Sequence, residues 1–200
     1  MKFKRIIAAV LVLCLTVCLA SCNSGDPKKV VDGFMKALAE YDVNAMAKYV
    51  EDIPTNSNSI YKYDVFTSGY YVDLYQMANK DIFSYKIVSV KNNAVKVKVK
   101  MPDIYTLYSN TLMSLVSQTF ANEDLLNFVL DEENDPQLML IALMINAAEN
   151  GDVGTVEEEF VLKIGKINGE YKIMTNDQLE QLMTSKLCLV QKDVLSEITE

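Results

Sequence analysis

Few residue types in this chain can do chemistry. Its 200 residues include no His, no Trp, four Cys and one Arg, Arg5. Without imidazole, a Ser-His-Asp or Cys-His nucleophilic site is excluded, as is any zinc site that uses His. What remains for catalysis is Asp, Glu, Lys and Tyr. The tyrosines cluster: Tyr61, Tyr63, Tyr70, Tyr71, Tyr75 and Tyr85 lie close together in sequence. A carboxylate buried among such rings, Tyr63, Tyr70, Tyr71, Tyr75 and Tyr85 being the candidates, would make an acid/base site. The competing account is packing, each ring buried with its polar tip at a boundary, and no Asp in the pattern marks itself as the buried partner. No catalytic residue is therefore assigned. Two acidic runs, Asp131-Glu132-Glu133-Asn134-Asp135 and Glu157-Glu158-Glu159 with Asp152, have oxygens that calcium would accept. Neither has the acid, Gly and terminal Glu order of an EF-hand, so no metal and no cofactor is expected.

The cysteines do a different kind of chemistry. Met1-Lys2-Phe3-Lys4-Arg5 is basic, and the run from Ile6 to Ala20 is uncharged. That run falls short of the ~20 apolar residues a membrane span needs. A basic start, a short apolar stretch and small residues before a polar segment form the pattern of a secretory signal. Cys14 and Cys18 are then apolar filler. Leu19-Ala20-Ser21-Cys22 resembles the lipobox of bacterial lipoproteins, and all four positions match. The resemblance implies cleavage between Ser21 and Cys22 and a diacylglycerol on the Cys22 sulfur. An ordinary signal site wants a small third-last residue, and Leu19 would stand there. The expected organisation is a signal peptide over 1–21, a tether over 22–25 and one domain over 26–200. The expected location is the extracytoplasmic face of the cell membrane, lipid-anchored, because two acyl chains suffice for stable tethering.

Charge narrows the partners. The whole chain carries −8, and losing Lys2, Lys4 and Arg5 would take it to about −11. Nucleic acid is a poor partner for such a chain, since binding it rests on neutralising phosphates. Besides Cys22, only Cys188 would remain after processing, so no side-chain disulfide is available to the domain.

The apolar periodicity predicts the elements that must position these residues. Asp26-Pro27 reads as an N-cap and first helical residue, followed by Val30, Val31, Phe34, Leu38 and Tyr41 at helical spacing. Asp42 caps a short second helix with Ala45, Met46, Tyr49 and Val50. Thr55 to Ser59 is a polar loop. Tyr63 to Asn79 makes a third helix with Phe66, Tyr70, Leu74, Met77 and Ala78 inward. The period then changes to two. Phe83, Tyr85 and Ile87, a turn at Asn92-Asn93, and Val95, Val97, Val99 and Met101 alternating with lysines make one hairpin. Phe160, Leu162 and Ile164, the turn Asn168-Gly169, and Tyr171 and Ile173 make a second. Between them, about 102–156, lies a helical insertion with Ile104, Tyr108, Leu112, Leu115 and Val116 on one side of its first helix. The stretch "PQLMLIALMINAAEN" is apolar nearly all round and must be covered by its own chain or by a partner. A closing helix carries Leu179, Leu182, Met183 and Leu187. The fold class is thus α+β: N-terminal helices on a curved antiparallel sheet of about four strands, a helical insertion between the hairpins, and a C-terminal helix.

The opening "DPKKVVDGFMKALAEYD" and the terminal "FVLKIGKINGEYKIM", with Tyr171 at a place often aromatic, make the chain resemble the nuclear-transport-factor-2-like superfamily, a cystatin-like α+β cone. With the lipobox, it resembles secreted Gram-positive lipoproteins of that superfamily. The insertion departs from the family pattern. The resemblance implies a cavity between helices and sheet, and enzymes of the superfamily such as ketosteroid isomerase place Asp and Tyr there. Three functions are then in play. The preferred one is a non-catalytic ligand-binding or protein-interaction module. The second is an isomerase- or cyclase-type enzyme with a Tyr/Asp cavity. The third is a structural subunit assembling through the inserted helices. The expected partners are the membrane through Cys22, a small molecule or protein, and a second copy through 137–150, with that helix otherwise mostly buried in the monomer.

Overall fold

The computed structural model describes residues 26–52, 69–131 and 133–190. The lipobox residues Ser21 and Cys22, the 55–59 loop, Tyr61, Tyr63 and Phe66 lie outside the described residues. The elements run α1 (Pro27–Ala39), α2 (Val43–Met46), α3 (Gly69–Asn79), β1 (Ser84–Lys91), β2 (Ala94–Pro102), α4 (Ile104–Ala121), α5 (Glu123–Leu130), α6 (Pro136–Glu149), β3 (Thr155–Ile167), β4 (Glu170–Ile173) and α7 (Asp177–Met183). The α+β class, the two hairpins, the helices between them and the closing helix are as the periodicity predicts. Among the described residues, no helix is long and apolar enough to cross a membrane.

The sheet is antiparallel in the order β1-β2-β3-β4. Both hairpins turn through two residues in the left-handed region, Asn92 and Asn93 (φ 46° and 59°) and Asn168 and Gly169 (φ 52° and 86°). That is the turn geometry that matches strand twist. In the central pair Val95 faces Leu162 and Val97 faces Phe160, and all four side chains are buried. The opposite face is wet, with Lys96 paired to Glu159 at 2.9 Å and Lys98 paired to Glu157. Exposed pairs of this kind contribute only about 0–1 kcal/mol each; the buried face holds the sheet. A register shift falls between Ile87 and Ser89, and Val88 and Val90 are exposed.

α1 lies across the sheet and buries Val30, Val31, Phe34, Met35, Ala37 and Leu38. Asp26 caps it by accepting from the Lys28 amide at 2.8 Å. The helix does not run to Tyr41. It ends at Ala39, and the Asp42 and Tyr41 amides donate to the Ala37 and Leu38 carbonyls at 2.9 and 3.1 Å, a Schellman closure with Tyr41 in the left-handed place (φ 47°) where Gly is usual. The second helix is also shorter than its spacing suggests. It is a single turn, Val43–Met46, and Val50 instead bridges β4, with the Glu51 amide donating to the Ile173 carbonyl at 2.8 Å.

Two helical faces are rotated from the expected phase. On α3 the buried positions are Tyr71, Leu74, Tyr75 and Ala78, whereas Tyr70 is 56% exposed and Met77 points outward. On α4 they are Ile104, Leu107, Leu115 and Thr119, with Tyr108 and Leu112 partly covered; Val116 is outside. α6 packs against α3 and α4 but is not mostly buried. Only Leu140, Ile141 and Met144 are covered fully, Met139 and Ile145 are partly covered, and Leu138 and Leu143 are exposed. One hydrophobic cluster nevertheless joins the sheet, α1, α3, α4, α6 and α7.

The two sides of α6 give opposite expectations. Ile141→Glu forces a carboxylate into the core and should cost at least about 3 kcal/mol in urea unfolding. Leu143→Glu should stay within about 0.5 kcal/mol of the parent, as outward substitutions do. Equal losses at the two positions would show that α6 is covered on both sides.

Candidate functional site

The interior where α1, α3 and α7 meet is the first place to look for a cavity. It is occupied by two tyrosine rings. Tyr41 and Tyr75 stack with centroids 4.3 Å apart and planes 13° from parallel, and both side chains are essentially inaccessible. The Tyr75 hydroxyl donates to the Thr184 carbonyl at 2.6 Å. Burial pushes the Tyr41 hydroxyl far above its ordinary range, so it stays protonated. One helical turn beyond Tyr75, the Asn79 amide donates to the Leu38 carbonyl at 2.9 Å. Helix-end carbonyls accept from the Tyr75 hydroxyl and the Asn79 side-chain nitrogen, while the buried Asn79 Oδ1 has no hydrogen-bond partner among the described residues.

The candidate tyrosines do not converge. Tyr71 and Tyr75 share the buried face of α3, Tyr70 faces outward from the same helix, and Tyr85 stands on β1 against α1. Tyr85 does meet a carboxylate: its hydroxyl donates to Asp32 Oδ1 at 2.7 Å, and Lys36, one turn along α1, pairs with Asp32 Oδ2 at 2.8 Å. The spacing of Asp32 and Lys36 at i, i+4 is readable in sequence; the tyrosine's arrival from β1 is not. The Asp32 side chain is 41% exposed. The hydrogen bond from Lys36, and then that from Tyr85, hold its carboxyl below the usual range. Desolvation, and then the bond to Asp32, push Tyr85 up to about 12. A general acid or base works best with its pKa near the operating pH. Here the base is weakened and the acid is weakened, and the hydrogen bond ties α1 to β1.

The acidic runs are also engaged in structure. Asp131 Oδ1 accepts from the Glu133 amide at 3.0 Å and Asp135 Oδ1 caps α6 through the Gln137 amide at 2.8 Å. Glu157, Glu158 and Glu159 each pair with a lysine, Lys98, Lys186 and Lys96. Among the described residues no group of three or more Asp, Glu, Cys or His is arranged to hold a metal ion. The depressions that line the surface are open. One, beside Glu40, Asp42, Asn44 and Gln76, sits over the covered Tyr41 ring, and another is flanked by Lys86, Lys98 and Lys100. Tyr41 is the one buried side chain among those lining the first, and the second is lined by exposed or half-buried ones.

What sequence reasoning missed is on the outside. α4 is apolar on two opposite faces. Its inner side is the buried row already described, and its outer side carries Met113, Val116 and Phe120 at i, i+3 and i+7, one stripe of the helix. Met113 is 72% exposed and Phe120 82%. The turn to α5 is made by Asn122, whose side chain accepts from the Asp124 and Leu125 amides at 3.0 and 3.3 Å. α5 has no fully buried residue and exposes Phe128 and Leu130, and Leu138 and Leu143 follow on α6. Single exposed apolar residues are ordinary, but seven on three consecutive helices are of the kind that marks an interaction surface. The i, i+3, i+7 spacing of the outer row was visible in the sequence; which of the two apolar rows faces the core was not.

Comparison with protein-family models, with curated proteins and with solved structures returned no match to the chain.

The Tyr85–Asp32 contact makes a pH-dependent expectation. The folded chain keeps the Tyr85 proton up to about 12, whereas an unfolded tyrosine loses it near ~10. Stability from this group is full below the unfolded value and is lost as pH rises through the folded one. Asp32 acts in the opposite sense, its contribution lost as pH falls through its lowered folded value. Tyr85→Phe should therefore flatten the loss of melting temperature between about pH 10 and 12 and change neutral-pH stability by no more than about 1.5 kcal/mol. A variant with the parent's alkaline slope would refute the assignment.

Proposed function

We propose that the chain is a lipid-anchored, extracytoplasmic interaction module without catalysis, with the inserted helices as its working surface. The observation that carries this reading is the outward row Met113, Val116 and Phe120 on a helix whose opposite row is already used by the core. An enzyme of the Tyr/Asp cavity type would need an open interior. The Tyr41–Tyr75 stack fills the position, and the Tyr85–Asp32 pair has its proton affinities displaced away from neutrality on both sides. The lipobox resemblance at Leu19-Ala20-Ser21-Cys22 supports the anchor, and the resemblance to the nuclear-transport-factor-2-like superfamily rests on the opening and terminal sequence segments. A tether and an adhesive surface fit together physically, because confinement to a membrane raises the local concentration of any partner held on the same surface.

The test is cross-linking in the membrane fraction of cells. A photoreactive residue in place of Phe120 should give an adduct to another protein, and one in place of Lys96 on the wet sheet face should not. In the same cells Cys22→Ala should leave the chain unprocessed or release it from the membrane. No protein adduct from position 120 would overturn the interaction reading, and mature, membrane-bound Cys22→Ala at the parent's level would overturn the anchor.

A further inference from the structure

We infer that the outward apolar row of α4, with the exposed apolar side chains of α5 and α6 that follow it in sequence, docks a cationic amphipathic helix of a partner protein. The charge distribution identifies the partner. Between Lys100 and Lys163 the chain contains no Lys and no Arg, while Asp103, Glu123, Asp124, Asp131, Glu132, Glu133, Asp135, Glu149 and Asp152 all fall there. The acids of β3 at the end of that interval are answered from outside it, Glu157, Glu158 and Glu159 by Lys98, Lys186 and Lys96. On the insertion, Glu123, Asp124 and Glu133 are exposed and stand beside Phe120, Phe128 and Leu130 in sequence with no cation among them. A surface that carries large apolar side chains among neutral polar ones, and whose charged side chains are all acidic, is complementary to apolar side chains and bases. A helix with one apolar and one Lys/Arg face offers both at i, i+3, i+4 and i+7 spacing.

The same distribution disfavours the other occupants. A second copy docked symmetrically would bring the same acids against each other with no base on either side, and like charges juxtaposed across an interface are costly. An anionic bilayer surface would be repelled for the same reason. The inference rests on the reading of the chain as an interaction module and supplies its partner class.

The experiment uses the full-length chain in zwitterionic nanodiscs and two labelled peptides of roughly five helical turns, identical in their leucine face and carrying either lysines or glutamates on the polar face. Anisotropy should report binding of the lysine peptide and not of the glutamate peptide. Met113→Ser with Phe120→Ser should weaken that binding about tenfold or more through lost apolar burial. Glu123→Gln with Asp124→Asn and Glu133→Gln should weaken it comparably, and added salt should do the same to the parent. All these side chains face outward, so the variants should melt with the parent; Leu143→Ser serves as a further apolar variant if one does not. Equal binding of both peptides would overturn the inference, as would lysine-peptide binding that survives loss of Phe120 and Met113. So would self-association, or partition into anionic vesicles, that Phe120→Ser abolishes while peptide binding is absent. If the lysine peptide fails but position 120 still cross-links to a protein, the partner class is wrong and the module reading stands. If both fail, both fall.

Discussion

The stacked pair Tyr41 and Tyr75 is the contact on which the rest of the architecture depends. It joins three segments that are distant in sequence. Tyr41 closes α1, Tyr75 comes from the middle of α3, and the Tyr75 hydroxyl reaches the carbonyl of Thr184 at the end of α7. Placing a tyrosine in the left-handed region costs about 1–2 kcal/mol. Burying its ring recovers roughly 1.5–3 kcal/mol, and the ring pair adds about 0.5–1.5. The bend after α1 is therefore stabilised by what it buries, and Asn79 binding the Leu38 carbonyl fastens the same corner from α3. A glycine would turn the chain more easily there and leave a hole.

That filling has a functional consequence. In an α+β arrangement with helices laid over an antiparallel sheet, the space between the layers is the natural place for a ligand. Here Val95, Val97, Leu162 and Phe160 meet α1 from below, and the two tyrosines close the end. On the proposed reading, the chain works by recognition at its periphery. The insertion supplies it through a compromise. α4 needs one apolar row to join the core and carries a second that the monomer does not use. Under the proposal, the acids near that second row in sequence select what covers it.

Much of this was legible in sequence. The change from a period of 3.6 to a period of two located both hairpins, and Asn92-Asn93 and Asn168-Gly169 marked their turns because few other pairs accept positive φ twice. Pro27 after Asp26 and Pro136 after Asp135 marked helix starts. Phase was harder. α3 has tyrosines at 70, 71 and 75, so a face containing Tyr70 and one containing Tyr71 are equally apolar on paper, and only the neighbour decides. The outer row of α4 misled for the same reason: Val116 follows Leu115, and composition cannot say which is inside. Tyr41 continued the helical spacing while ending the helix, because its side chain belongs to the core whether or not its backbone is helical. The meeting of Tyr85 with Asp32 depends on the packing angle of α1 on β1, which no local pattern encodes.

On the reading proposed for this chain, its described interior is filled by protein side chains and its work is done on the surface. Native mass spectrometry of the gently purified full-length chain measures this directly. The account predicts masses of the polypeptide, its lipid and bound protein partners only, with no stoichiometric small molecule. A small molecule retained at one per chain, and released by Tyr41→Ala or Tyr75→Ala but not by Phe120→Ser, would place a ligand in the interior and contradict it.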